Sequence, residues 1–245
     1  MNIIFYSKHI KKNNCLGIDA LKFLIKNTNI NITCIVKDKD LLYNFCVTNN
    51  ISVYHNINLI DTTPIDLIVS YGWGSLIPSN ILNQSRLGGI NFHPAPLPYW
   101  RGMGGVFNYA LYENITEWGC SAHFIDTQFD TGDIIKTNKF SIQDINSVYS
   151  LTKLSHNKLL LLFKEVMPLF IENRSIPRIK QSTGRYISKV DLDRLREVHT
   201  TDSAAEINKK IESCFCPPHH GAYITINGIQ YSIINSEILN RIKLE

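Results

Sequence analysis

Residues 65–78, IDLIVSYGWGSLIP, join an unbroken apolar run to a loop that contains two glycines and a proline. Buried strands of a parallel sheet have this character, because helices cover both of their faces. Similar runs occur upstream at residues 3–6 and 32–36, and apolar residues recur at helical spacing over residues 17–25 between them. This alternation predicts parallel strands joined by helical crossovers.

The whole chain therefore fits an α/β, Rossmann-like fold, with a mostly parallel sheet and helices on both faces. Past residue 180 the chain becomes basic and polar, then predicts a helix over residues 204–214 and a β-hairpin around Asn227-Gly228, a type I′ turn signal. We expect a larger domain over residues 1–180 and a smaller C-terminal subdomain over residues 181–245.

Composition excludes several classes of protein. The 245 residues are 44% hydrophobic and carry a net charge of +4, with the lysines spread along the chain, which gives no support for nucleic-acid binding. The six cysteines lack zinc spacing and indicate free thiols in a reducing compartment. We find neither a signal peptide nor a span long enough for a bilayer, and therefore expect a cytoplasmic protein without a metal and without membrane partners.

Two loops that follow strand-like runs are candidates for a site, because ligands of open α/β sheets bind at the carboxyl ends of the strands. The first is YGWGSLIP and the second is NFHPAPLP, which begins at Asn91. On an extended segment, Phe92 would point into the core while Asn91 and His93 share the other face. The prolines that follow hold the pair at the strand end.

An isolated Asn-x-His would more often cap or bond the neighbouring backbone. Asp130 changes the balance, since it lies in a Gly-containing loop after another predicted strand and could reach the same edge. His93 can transfer a proton near neutral pH, Asp130 can orient and stabilise its charged form, and the Asn91 amide can donate to an oxyanion. With no poised covalent nucleophile, the set favours attack of an external amine or water on a bound carbonyl.

Two common nucleotide motifs are missing from the sequence. No G-x-G-x-x-G follows the first strand, where the chain is SKHIKKNNCLG, and no G-x-x-x-x-G-K occurs. A dinucleotide cofactor of the usual kind and a P-loop are therefore not expected.

NFHPAPLPYWRG followed by SAHFIDTQFDTGDII resembles the formyltransferase family that uses N10-formyltetrahydrofolate. The resemblance covers the chain to about residue 140 and implies Asn91, His93 and Asp130 as the catalytic set. It implies that YGWGSLIP and IDTQFD wrap the pterin, largely through backbone groups. It also implies a cis bond between Leu97 and Pro98. We expect His123 to support the catalytic residues. The cofactor-binding candidates are Trp73, Ser75, Leu76, Ile77, Asp126 and Thr127.

Within that family, the chain is most similar to the sugar N-formyltransferases that act on dTDP-linked amino-deoxysugars. The tail FCPPHHGAYITINGIQYSI looks like their PP-x-x-GAY-I element. Methionyl-tRNA formyltransferases continue into a β-barrel, for which only 24 residues remain after Gly221 here. Glycinamide ribonucleotide formyltransferases are shorter, lack the tail and usually carry a Gly-rich loop after the first strand.

The acceptor implied by this resemblance is dTDP-4-amino-4,6-dideoxyglucose, used for O-antigen or another surface polysaccharide. A diphosphate needs cationic donors and a thymine ring needs an aromatic platform. For any one residue of the charged segment GRYISKVDLDRLREV, a solvated surface face is the favoured interpretation. The substrate-binding candidates are Trp100, Arg101, Arg185, Tyr186, Lys189, His220 and Tyr223.

Other interpretations stay open from the sequence. The amine could belong to a UDP-amino sugar or another molecule, or the chain could be a non-catalytic sensor of nucleotide sugar or folate. We also expect a homodimer joined through the C-terminal hairpin, since an isolated two-stranded hairpin is marginal in water.

Overall fold

The computed structural model describes residues 1–8, 16–56 and 64–243 of the chain. Residues 9–15, which include Cys15, lie outside the described residues. The strands are β1 Asn2–Ser7, β2 Asn31–Ile35, β3 Ser52–Tyr54, β4 Leu67–Tyr71, β5 Gly89–His93, β6 Glu117–Phe124, β7 Ile134–Ser141, β8 Glu197–Val198, β9 Tyr223–Ile226 and β10 Ile229–Ser232. The helices are α1 Leu16–Leu24, α2 Leu41–Thr48, α3 Ser79–Leu82, α4 Val106–Tyr112, α5 Val148–Ile171, α6 Lys189–Arg196, α7 Ala204–Cys214 and α8 Ser236–Lys243.

Seven strands form one sheet in the order β3-β2-β1-β4-β5-β6-β7. The first five are parallel, and β6 and β7 are antiparallel to their neighbours. The chain moves outward from β1 through β2 and β3, then returns to β4 on the other side of β1. This reversal opens a crevice at the carboxyl ends of β1 and β4, where ligands of such sheets bind. The predicted Rossmann-like fold is confirmed.

Aromatic packing under the sheet fixes the register of β5. The centre of the Phe92 ring lies 4.8 Å from the centre of the Phe163 ring of α5. The centre of the Tyr71 ring lies 5.2 Å from the same point. Phe92 is therefore committed to the core, and a one-residue slip would put the polar neighbours there instead. Since side chains alternate along a strand, Asn91 and His93 project from the opposite face.

The C-terminal part forms a second, three-stranded sheet in the order β10-β9-β8. The predicted hairpin is present, and both turn residues have positive φ, 51° at Asn227 and 80° at Gly228, as a type I′ turn requires. The sequence missed β8, which pairs in parallel with β9, because two residues carry too little pattern to detect.

The charged segment GRYISKVDLDRLREV contains the helix α6, Lys189–Arg196. From the sequence, the favoured interpretation of this segment was a solvated surface loop. Ser188 and Asp191 form a capping box at the start of α6, and each satisfies a backbone N–H of the other. Few apolar residues occur in α6, so periodicity gave no signal. None of the described helices has the length and apolar character needed to cross a bilayer.

Candidate functional site

Asp130 is the centre of the candidate site, at the carboxyl ends of β4 and β5. Its Oδ2 accepts the backbone N–H of Gly102 at 2.9 Å, and its Oδ1 accepts the Asn91 amide at 3.2 Å. The same Oδ1 lies 3.6 Å from Nδ1 of His93 and 3.4 Å from Nε2 of His123. The sequence-predicted trio is therefore together, and His123 joins it.

Asp130 is ionised although it is buried. Burial of a carboxylate opposes ionisation, but attraction by His93 and the hydrogen bond from the Gly102 N–H outweigh that penalty. Together they hold the pKa of Asp130 far below its ordinary value. The site therefore keeps a fixed negative charge at neutral pH.

Backbone carbonyls set the tautomers of the two histidines. Nε2 of His93 lies 2.6 Å from the carbonyl oxygen of Trp100, and Nδ1 of His123 lies 2.7 Å from that of Phe124. A carbonyl only accepts, so each of these nitrogens carries the proton. The other nitrogen of each ring faces Asp130.

Both amide N–H groups of Asn91 are engaged. One points to Nε2 of His123 at 3.0 Å and the other to Oδ1 of Asp130. This arrangement fixes the orientation of the amide, and none of the described residues donates a hydrogen bond to its oxygen. An N–H of Asn91 reaches an oxyanion only by releasing one of these two partners.

The site opens into a cavity of about 260 Å³. Both loops predicted from the sequence contribute to its walls, through Trp73, Ser75, Leu76 and Ile77 on one side and through residues after Ile125 on the other. The sequence named Asp126 and Thr127 there, whereas Gln128 and Phe129 line the cavity. Asp126 instead shapes the loop, because its Oδ1 accepts the Gln128 N–H and the Thr131 hydroxyl.

The other predicted substrate contacts are dispersed. Trp100 packs against Trp118 at 5.0 Å between ring centroids, and the Arg185 guanidinium pairs with Glu113. Lys189 is the first residue of α6, His220 is exposed and Tyr223 begins β9. Tyr186 is 51% exposed and pairs through its backbone with Arg101.

Gln181 is a structural support that the sequence did not reveal. Its Oε1 accepts from Nη2 of Arg101 at 2.8 Å, and its Nε2 donates to the carbonyls of Asp130 at 3.1 Å and Gly132 at 2.6 Å. Asp130 has a φ of 58°, a strained value for a residue with a side chain, so these bonds stabilise the conformation that aims its carboxylate.

The segment that carries Gln181 also clamps the loop after β5. Arg101 exchanges two backbone hydrogen bonds with this segment, through Arg185 and Ile187. A Cβ at Gly184 would overlap the Pro98 carbonyl, so only glycine permits the close approach. The predicted cis bond between Leu97 and Pro98 is present in this loop.

The sequence of this chain is similar to those of formyltransferases. A protein-family model for formyl transferase matches residues 27–165. A methionyl-tRNA formyltransferase of Syntrophomonas wolfei subsp. wolfei is 29% identical over 193 residues, which are 78% of this chain and 60% of the relative. A GDP-perosamine N-formyltransferase of Brucella melitensis biotype 1 is 27% identical over 173 residues, 71% of this chain and 66% of the relative. The chain thus spans three fifths to two thirds of the length of these relatives.

Among solved structures, an N-formyltransferase from Helicobacter canadensis has a similar fold. It superposes with a TM-score of 0.70 at 19% identity, over 94% of this chain and 85% of that one. That crystal structure is described as a complex with folinic acid and dTDP-3-aminofucose. At this identity the likeness establishes the fold alone.

Replacing Gln181 by Met should destabilise the protein. The substitution leaves the Arg101 guanidinium and two loop carbonyls without their partner, and an unsatisfied buried polar group costs about 1–3 kcal/mol. The free energy of unfolding from urea denaturation should fall by that amount. Gln143→Met is the matched control, because Gln143 is exposed on a turn and surface changes stay within about 0.5 kcal/mol. Equal stability of the two variants would contradict the supporting role of Gln181.

Proposed function

This chain belongs to the formyl transferase family, and we propose that it transfers a formyl group from N10-formyltetrahydrofolate to an amine of a nucleotide-linked amino sugar. The expected acceptor is dTDP-4-amino-4,6-dideoxyglucose. One observation carries the proposal: Asn91, His93 and an ionised Asp130 converge at the wall of a cavity of about 260 Å³. We also propose that residues 1–180 form the catalytic part of the chain. Residues 181–245 would then form a part that binds the substrate and joins the dimer.

The two substrates are inferred from relatives and from cavity chemistry. The Brucella relative is named for GDP-perosamine, and the Helicobacter structure holds folinic acid and a dTDP-sugar. A largely apolar cavity wall with a few polar groups at one end suits a pterin ring whose formyl group meets those polar groups. Because the Brucella relative is named for GDP-perosamine, a GDP-linked amino sugar is the main alternative acceptor. A UDP-linked amino sugar is a further alternative.

Chemically, the sugar amine attacks the formyl carbon and forms a tetrahedral intermediate with a negatively charged oxygen. His93, in its protonated form stabilised by Asp130, donates to that oxygen. The Asn91 amide oxygen accepts an N–H of the attacking amine, and the N–H that faces Asp130 is the one available to the oxyanion. The bond from carbon to N10 then breaks, and the proton lost by the amine ends on N10.

The leaving group is a weakly basic aryl amine, so we expect the reaction to need no metal. Among the described residues, no group of three His, Cys, Asp or Glu side chains is arranged to hold a metal ion. We propose a cytoplasmic location, supported by the free thiols of Cys34, Cys46, Cys120, Cys214 and Cys216.

Turnover of the full chain tests the proposed reaction. With N10-formyltetrahydrofolate and a panel of dTDP-, UDP- and GDP-linked 4-amino sugars plus methionyl-tRNA, we expect a formamide product, detected by mass spectrometry, with the dTDP-sugar preferred. His93→Asn and Asp130→Asn should each lower kcat by roughly 10²–10⁴-fold, the usual contribution of acid–base catalysis. A chelator should leave the rate unchanged.

The controls for these variants are His199→Asn and Asp144→Asn, which change exposed side chains away from the cavity. Near-normal kcat in either site variant would remove that residue from the mechanism. Failure of every nucleotide sugar to react would favour a non-catalytic sensor, and a preference for methionyl-tRNA would replace the sugar as acceptor.

We also propose a homodimer joined through the hairpin. The register of β9 and β10 aligns Ile226 with Ile229 and Ile224 with Tyr231, so these four apolar side chains share one face. Ile226, Ile229 and Tyr231 are about half exposed, at 49%, 57% and 48%. A two-fold copy would cover this face with the same face, as an isologous interface requires.

Ile226→Asp should therefore dissociate the dimer. Light scattering at micromolar concentration should give about twice the 28.0 kDa of one chain for the wild type and one chain for the variant. Thr225→Asp, on the opposite face of the same strand, should stay dimeric. A wild type at the mass of a single chain rejects the dimer.

A further inference from the structure

Three lysines from separate elements lie near the cavity beside Asn91, His93 and Asp130, which we call the formyl cavity. Lys8 follows β1 and lines the cavity. Lys37 follows β2, donates to Oγ of Ser75 at 2.8 Å and lies 4.8 Å from the centre of the Trp73 ring, and both of these partners line the cavity. Lys189 is the first residue of α6.

The charges of Lys37 and Lys189 both act on Lys8. Burial lowers the pKa of Lys8, and the charges of Lys37 and Lys189 lower it further. Within the part of the chain that the structure describes, none of the three forms an ion pair with a carboxylate. Lys136, Lys139 and Lys210, by contrast, each pair with one. An anion bound between these lysines would reduce the repulsion that the charges of Lys37 and Lys189 exert on Lys8.

Lys8 is held in place by its surroundings. A Cβ at Gly74 would lie 2.9 Å from Nζ of Lys8 and 3.1 Å from Cε of Met103, so the ammonium sits in a narrow space beside the cavity loop. A half-buried lysine that is confined in this way loses less side-chain entropy on binding than a free surface lysine.

The arginines that the sequence favoured for an anionic substrate are already engaged. The Arg185 guanidinium pairs with Glu113 and lies 4.6 Å from the centre of the Tyr109 ring. The Arg101 guanidinium donates to Gln181 and to the carbonyl of Ser182. Among the predicted cationic candidates in the described part of the chain, Lys189 is the one whose charge acts on Lys8.

We propose that Lys8, Lys37 and Lys189 form a binding site for a multiply charged oxyanion carried by a substrate whose reactive end lies in the formyl cavity. The inference rests on the proposed function, in which both substrates carry such a group. The nucleotide sugar has a diphosphate, and the folate has the carboxylates of its glutamate tail. Ammonium groups bind either through charge-assisted hydrogen bonds.

Kinetics of Lys8→Met and Lys37→Met separate these two sources. Each variant keeps the apolar stem and loses one positive charge, so we expect the KM of one substrate to rise about tenfold while kcat changes little. A rise for the nucleotide sugar assigns the site to the diphosphate, and a rise for the folate assigns it to the glutamate tail. Lys164→Met, which removes an exposed charge from α5, is the control. Unchanged KM values for both substrates would overturn the proposal.

Binding of inorganic pyrophosphate gives a readout that is independent of turnover. Calorimetry should detect binding to the wild type and to Lys164→Met, and about tenfold weaker binding to Lys8→Met and Lys37→Met. If the wild type turns over nothing but this pattern holds, the proposed function fails and the anion site stands. If turnover is normal while pyrophosphate binds all four proteins equally, the anion site fails.

Discussion

The buried carboxylate of Asp130 is the interaction on which the site depends. It accepts hydrogen bonds from Gly102 and Asn91 and lies within 3.6 Å of a ring nitrogen of His93. Gly102 lies in the loop after β5, Asn91 and His93 lie in β5 itself, and Asp130 belongs to the loop after β6, so these contacts join three segments. Because a buried charge without partners is costly, the loss of any one contact would weaken the others.

Support for this carboxylate comes from beyond the residues that the family model matches. That match ends at residue 165, whereas Gln181 holds the loop carbonyls of Asp130 and Gly132. The same segment leads into α6, whose first residue is Lys189. One stretch of chain therefore supports the loop of Asp130 and carries a lysine whose charge acts on Lys8.

Much of the site followed from local sequence pattern. The alternation around Phe92 predicted that Asn91 and His93 share a face. The carboxyl-end rule does not explain the position of Asp130, because β6 is antiparallel to β5 and its last residue, Phe124, pairs with Ile90 near the start of β5. Gln181 and the lysine cluster were beyond prediction, since they depend on contacts between residues 38 to 80 positions apart. Helix α6 was missed for another reason: its signal was the capping pair of Ser188 and Asp191, with little apolar periodicity behind it.

The ionisation state of Asp130 tests the account most directly. Carbon-13 NMR of aspartate carboxyl groups, with the Asp130 signal assigned by its loss in Asp130→Asn, follows that state as the pH falls from 7 to 3.5. The partners of Asp130 hold its pKa far below the ordinary value, so its chemical shift should stay that of a carboxylate throughout, while ordinary aspartates titrate near pH 4. A titration of Asp130 with a midpoint at or above pH 4 would contradict the central role given to its charge.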